Sequence, residues 1–110
     1  MDIIELENLI FKRLQLTKKY PEYKGRHIFF KANLKNVLKG LELSKRENIS
    51  LNEKQELYKL GKDFINIRNS ELQSHNSRFN TQKGNEIHEC EYYLYSMALD
   101  VFQTYGTKKL

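Results

Sequence analysis

Apolar side chains recur every three or four residues in four separate stretches of this chain, and this spacing constrains its fold more than any other feature. The period matches the 3.6 residues per turn of an α-helix, so each stretch would bury one side. No stretch of useful length alternates as a strand would. Four helices with mostly short connections predict one all-α domain, residues 1–110, folded as an antiparallel four-helix bundle.

Start and stop residues give the bounds of the first three helices. The first helix is predicted over about residues 3–19, because Pro21 stops the apolar run. The second follows the turn after Pro21 and ends near Arg46. Ser50 with Glu53 three residues later is a capping box, and it predicts the start of the third helix.

The second half of the chain has a polar stretch before its last apolar run. From about residue 70 to Gly84 the sequence predicts a connection, after which Asn85 caps a helix that ends at Gly106. The predicted core is the set of residues on the four apolar stripes: Ile3, Leu6, Ile10 and Leu14; Phe30, Leu34, Val37, Leu38 and Leu41; Leu57, Leu60, Phe64 and Ile67; Ile87, Cys90, Leu94, Met97, Ala98, Val101 and Tyr105.

The composition excludes several classes of protein. With 39% hydrophobic and 30% charged residues the chain can build a modest core, which argues against disorder. A single cysteine excludes a disulfide framework and a Cys-rich zinc site. No apolar run approaches the roughly 20 residues that span a bilayer, and the acidic start is unlike a signal peptide. We therefore expect a cytoplasmic protein that does not enter a membrane.

Positive charge is concentrated in one part of the chain. The net charge is +5, but nine bases and one acid lie between Lys12 and Lys39, a net +8 that leaves the rest at −3. Aromatic residues, including Tyr20 and Phe29, lie among these bases. Such an asymmetry is typical of a surface that binds a polyanion, and RNA is the partner we expect.

The residues predicted to contact nucleic acid are Lys24, Arg26, Lys31, Lys35 and Lys39. A second interpretation stays open, because Lys31, Lys35 and Lys39 are spaced by four residues. Lysines at this spacing are also the ordinary solvated side of an amphipathic helix, with the phenylalanines on its buried side.

The sequence contains no motif for a cofactor or a metal ion. The glycines are isolated, so no phosphate-binding loop is present, and we predict no cofactor. His88, Glu89, Cys90 and Glu91 are adjacent, but neighbouring residues on a helix point in different directions. We predict no metal site there, and we interpret Cys90 as a small buried residue of the apolar stripe.

Arg68, Asn69 and His75 are the remaining residues able to do chemistry. Arg68 continues the apolar stripe of the third helix and should face the groove between helices, whereas His75 should lie at the mouth of the polar connection. An imidazole transfers protons near neutral pH, and a guanidinium binds phosphate oxygens. Asn69 could orient either group. The three residues predict phosphodiester cleavage.

This arrangement resembles the motif of the HEPN family (higher eukaryotes and prokaryotes nucleotide-binding domain). That motif is an arginine, a polar neighbour and a histidine after four to six intervening residues; here six intervene and Asn69 is the neighbour. Gln73 stands where some members have a tyrosine. The resemblance implies a homodimeric, metal-independent endoribonuclease in which the RNA 2′-hydroxyl attacks the adjacent phosphate. It also implies a link to toxin–antitoxin or phage-defence systems, whose members include catalytically silent proteins.

Two non-enzymatic alternatives remain open. The chain could be a helical module that binds nucleic acid through its basic segment, as a small subunit of a larger complex. It could also be a protein-interaction module, such as a phage-encoded inhibitor, that docks on an acidic protein partner.

Overall fold

The computed structural model describes residues 2–78 and 82–107, and the side chains of these residues except at positions 71–78, 82 and 83. Four helices follow one another: α1 (Asp2–Lys19), α2 (Lys24–Lys45), α3 (Leu51–Arg78) and α4 (Gln82–Tyr105). This confirms the all-α prediction. Within the described ranges, no helix combines the length and apolar content that crossing a bilayer requires.

The helices form an antiparallel bundle in which α4 packs against the other three. Contacting residues run in opposite directions along consecutive helices: Glu7–Lys45 and Arg13–His27 for α1 and α2, Lys39–Glu56 and Arg46–Glu53 for α2 and α3, Phe64–Tyr95 and Lys54–Thr107 for α3 and α4. Among the described residues, α1 and α3 do not approach each other. The predicted four-helix bundle is therefore confirmed, with α1 and α3 on its long diagonal.

Most of the predicted stripe residues form the core. The most deeply buried apolar side chains come from all four helices: Leu6, Phe30, Val37, Leu57, Phe64, Ile87, Leu94, Tyr95, Ala98, Val101 and Phe102. Leu14, Leu38 and Tyr105 were predicted in the core but are 36%, 48% and 47% exposed. For Leu14 and Leu38 the reason is that α1 and α2 touch only lightly, so nothing covers the outer edge of either stripe.

The prediction for the polar stretch before the last helix was wrong. Helix α3 continues to Arg78 and α4 already begins at Gln82, so most of the predicted connection is helical. Asn85 is the fourth residue of α4 and does not cap it. Residues 70–78 contain neither glycine nor proline, and a polar composition alone does not break a helix.

Hydrogen bonds confirm two predicted helix ends, the start of α3 and the end of α4, whereas α2 begins at Lys24, inside the turn predicted after Pro21. The Glu53 amide donates to the Ser50 hydroxyl over 3.1 Å, and the Ser50 amide donates to the Glu53 carboxylate over 2.9 Å. These reciprocal bonds are the capping box that begins α3. At the same end of the bundle, the Gly106 amide donates to the Phe102 carbonyl over 2.9 Å, which closes α4.

Candidate functional site

Arg68 lies on the side of α3 that faces α4. Gly61 and Phe64, seven and four residues earlier on the same side, both contact Phe102 of α4. The Arg68 side chain is half-buried, as expected for a residue at the groove between helices, and Asn69 beside it is exposed. The fold therefore gives Arg68 one partly covered side and one open side.

His75 lies in the last turn of α3, three residues before the helix ends at Arg78. Its side chain is outside the described residues. A seven-residue step along a continuous helix places the Cα atoms of Arg68 and His75 on the same side, about 10.5 Å apart along the axis. The convergence of their side chains stays a prediction.

The concentrated bases between Lys12 and Lys39 separate into two groups. Four of them are engaged within the chain: Arg13 is buried, Lys19 pairs with Glu86, Arg26 pairs with Glu91 and Lys39 pairs with Glu56. The other five have no ion pair within the described part of the chain: Lys12, Lys18, Lys24, Lys31 and Lys35. Of the predicted nucleic-acid contacts, Lys24, Lys31 and Lys35 are therefore those without an ion pair among the described residues.

A groove of about 350 Å³ runs between the exposed sides of α1 and α2. Its lining is Phe11, Leu14, Gln15, Thr17, Lys18 and Lys31. Helical spacing extends this surface along α2 in both directions from Lys31. Lys24 and Ile28 stand seven and three residues before Lys31, and Lys35 and Leu38 stand four and seven residues after it. On α1, Ile4 stands seven residues before Phe11.

We call this surface the α1–α2 face and define it by nine residues: Ile4, Phe11, Leu14, Lys18, Lys24, Ile28, Lys31, Lys35 and Leu38. Its apolar members are unusually open, with Ile28 69%, Phe11 63% and Ile4 60% exposed. Large apolar side chains that stay open beside each other on a folded protein are typical of an interaction surface. The face thus combines exposed apolar groups with four lysines, Lys18, Lys24, Lys31 and Lys35, that form no ion pair with any described residue.

Beneath one end of this face lies a buried ionic cluster, which we define as Arg13, Thr17, Arg26, His27 and Glu91. The Arg13 guanidinium donates to the Thr17 hydroxyl over 3.1 Å and to Nδ1 of His27 over 3.0 Å. Nε2 of His27 donates to the Tyr20 carbonyl over 2.8 Å. Because Nδ1 accepts from an arginine, the hydrogen is on Nε2 and the imidazole is neutral.

Glu91 supplies the negative charge of the cluster. Its side chain is fully buried, accepts a hydrogen bond from Arg26 over 2.5 Å and has Nε of Arg13 at 3.7 Å. Burial lowers the pKa of the Arg13 guanidinium, and the charge of Glu91 opposes that shift. Arg13 also stacks over the Phe30 ring at 4.7 Å. The cluster ties α1 and α2 to α4.

The sequence contained a signal for this cluster that the predictions missed. Arg13 stands seven residues after Leu6 and three residues after Ile10. Glu91 stands four residues after Ile87 and three residues before Leu94. These are stripe positions, at which a charged residue faces the interior. A charge at such a position predicts a buried ion that needs a partner from another helix.

Cys90 is buried, as its place on the apolar stripe predicts. Sγ of Cys90 donates to the Leu9 carbonyl over 3.6 Å, and burial raises the pKa of the thiol to about 11. The neighbouring His88 is also buried. Over the described ranges, no three histidine, cysteine or acidic side chains come together in a way that could hold a metal ion.

Comparison of the chain with protein-family models, with curated proteins and with solved structures finds no match. The resemblance to the HEPN family therefore rests on Arg68, Asn69 and His75 alone.

Proposed function

We propose that this protein is a helical interaction module that docks an acidic protein partner on its α1–α2 face. The observation that carries the proposal is the coincidence, on one face, of exposed apolar side chains and lysines with no ion pair in the described part of the chain. Lysines that serve only solubility need no apolar residues between them. Apolar residues that serve the core are covered by the chain itself.

The relative size of the two contributions favours a partner with apolar surface. Fully covering a Leu, Ile or Phe side chain contributes about 1.5–3 kcal/mol. An exposed ion pair contributes about 0–1 kcal/mol. The apolar residues of the face, such as Phe11 and Ile28, would therefore supply most of the affinity. Lysines such as Lys31 and Lys35 would select an acidic partner and speed its approach. A nucleic-acid duplex, which presents phosphates, would leave the apolar residues uncovered.

Site-specific photo-cross-linking tests the proposal in cells that make the protein. A photoreactive phenylalanine analogue replaces Phe11 on the face and, as a matched control, Phe29. Phe29 is 53% exposed, but it stands two residues before Lys31 and so lies on the other side of α2. A protein adduct at position 11 and none at position 29 is the expected result. An RNA adduct at position 11, or equal adducts at both, would contradict the proposal.

A HEPN-like endoribonuclease is the second candidate that we propose, because Arg68 is half-buried beside α4 while the Cα of His75 follows on the same side of α3. In this candidate His75 transfers the proton, Arg68 binds the phosphate and Asn69 positions either group. Two copies would face each other across a homodimer.

Incubation of the purified protein with RNA in EDTA tests this second candidate. Wild type should cut the RNA, and both His75→Ala and Arg68→Ala should abolish cutting without changing the circular dichroism spectrum. The matched variant Arg46→Ala removes an exposed arginine at the other end of the bundle and should leave cutting unchanged. RNA that survives wild type would exclude catalysis.

A further inference from the structure

We propose that the occupant of the α1–α2 face is an acidic amphipathic α-helix that lies along the groove between α1 and α2. This inference rests on the proposed function, the docking of an acidic protein on this face, and it specifies the shape and chemistry of the docked segment.

The shape of the face fits a helix. On α1 the apolar residues extend from Ile4 to Leu14, and on α2 from Ile28 to Leu38, ten residue steps each. Each stripe is therefore about 15 Å long. Because α1 and α2 are antiparallel, the two stripes run alongside each other over part of their length, with the groove beside Lys31 between them. A helix of about three turns has this length, and its apolar residues at every third or fourth position would enter such a groove.

The charges of the face specify the flanks of the docked helix. Lys31 and Lys35 lie along the α2 side, and Lys18 and Lys24 lie at the end where α1 and α2 are joined. At the opposite end, Lys45 is paired with Glu7 and is less available. Glutamates or aspartates beside the apolar stripe of the partner would meet the free lysines, and the more acidic end of the partner would lie toward the α1–α2 turn.

The composition and shape of this face argue against two other anionic occupants, single-stranded nucleic acid and an anionic membrane. Unpaired nucleotides bind proteins largely by stacking on aromatic side chains, whereas four of the five apolar residues of this face are aliphatic: Ile4, Leu14, Ile28 and Leu38. An anionic membrane would contact a flat surface, whereas the centre of this face is a groove. RNA and vesicles are therefore arms of the test and not part of the proposal.

Fluorescence anisotropy with defined probes tests the inference. The probes are three synthetic 18-residue peptides with Glu on both flanks of a stripe of Leu, Phe or Trp at every third or fourth position. Each has a scrambled version and a version with a central proline. A 12-nucleotide RNA and vesicles of one-third phosphatidylglycerol are further probes. At least one amphipathic peptide should bind about tenfold or more tightly than its scrambled and proline versions, a difference well above experimental error.

Matched variants assign the binding to the face. Phe11→Gln and Leu38→Gln should each weaken peptide binding about tenfold, whereas Phe29→Gln should not. The double charge reversal Lys31→Glu with Lys35→Glu replaces attraction by repulsion and should weaken binding about tenfold or more. The same reversal at Lys59 and Lys62, which are exposed on α3 away from α1, should leave it within about twofold. Circular dichroism and thermal unfolding of every variant identify any that fails to fold.

The outcomes separate this inference from the function on which it rests. If scrambled or proline peptides bind as well as the amphipathic ones, or if Phe11→Gln behaves like Phe29→Gln, the helical occupant is wrong. If only RNA or vesicles bind, it is wrong as well. A protein adduct at position 11 together with any of these results would support the proposed function and contradict the helical occupant. No adduct at position 11 and no peptide binding would contradict both the proposed function and the helical occupant.

Discussion

Nε of Arg13 lies 3.7 Å from Oε2 of Glu91, and both side chains are fully buried at the junction of α1 and α4. Arg26 reaches the same carboxylate oxygen from α2. Three of the four helices therefore meet at one buried carboxylate, with two guanidinium groups around it. A buried charge is tolerated only when its partners are in place, so this junction makes the packing of α1, α2 and α4 mutually dependent.

Removal of the Glu91 charge should destabilise the fold strongly. Glu91→Gln keeps the volume but leaves Arg13 and Arg26 without a buried countercharge, and we expect a loss of about 3–5 kcal/mol in the free energy of unfolding. Urea unfolding followed by circular dichroism measures it. Glu89→Gln, an exposed acid on the same helix, should change the free energy by less than about 0.5 kcal/mol. Equal effects of the two variants would show that the ionic cluster does not stabilise the fold.

Two glycines of α2 should respond oppositely to the same substitution. A Cβ at Gly40 would lie 2.3 Å from the Phe102 ring, which is fully buried and cannot move away, so Gly40→Ala should cost about 1–3 kcal/mol. A Cβ at Gly25 would meet nothing within 4 Å, so Gly25→Ala should stabilise α2 by about 0.5–1 kcal/mol. Thermal unfolding compares the two directly. A stable Gly40→Ala protein would mean that α2 and α4 pack less closely than described.

Bases from the same basic segment should differ in their effect on stability. Arg26→Ala removes a hydrogen bond to the buried Glu91 carboxylate and should cost about 1.5–3 kcal/mol. Lys31→Ala and Lys35→Ala remove exposed groups that have no ion pair in the described ranges, so each should stay within about 0.5 kcal/mol. Urea midpoints measure all three. A large loss on Lys35→Ala would mean that this lysine serves the fold and not a partner.

The capping box should make stability depend on pH in the acidic range. The Ser50 amide and hydroxyl lower the pKa of Glu53 below its ordinary value of 4.5. The charged form is therefore favoured in the folded state, and its stabilising contribution is present above pH 4.5 and lost as the pH falls through the lowered pKa. Glu53→Gln should be less stable than wild type at pH 7 and should approach wild type at pH 3. A difference that is constant with pH would contradict the role of the charge.

The single thiol should be unreactive in the folded protein. Burial raises the pKa of Cys90 to about 11 and covers its sulfur, so at pH 8 almost no accessible thiolate is present. Ellman's reagent should label Cys90 slowly in buffer and within seconds in 6 M guanidinium. Fast labelling in buffer would mean that α1 and α4 separate readily, because Cys90 is covered at their contact.

Local sequence signals predicted the helix bounds well where a residue that starts or stops a helix is present. Pro21 ended α1 as expected, and Ser50 with Glu53 began α3. The end of α3 was predicted too early because the sequence becomes polar near residue 70. A polar composition alone does not end a helix, and residues 70–78 contain no glycine or proline. The side that a helix buries was also predicted, but Leu14 and Leu38 are exposed, because a stripe does not say how completely a neighbouring helix covers it.

The candidate site was predicted only in part. Lys31 and Lys35 were expected to be available, and they are exposed without an ion pair in the described part of the chain. Arg26 was expected to contact a partner as well, but its guanidinium is engaged by Glu91, 65 residues away in sequence. A list of charged residues does not say which of them are already paired. That depends on which helices become neighbours.

The sequence by itself determined that this chain forms four helices and, for most residues, which side of each is buried, because both follow from the period of apolar residues and from caps within a few residues. Only the tertiary structure decided which charged residues pair with one another. Arg13 meets Glu91, and Lys31 has no ion pair in the described part of the chain, because α1 packs closely on α4 and lightly on α2. The pairing of residues far apart in the chain is a property of that packing, which no local pattern encodes.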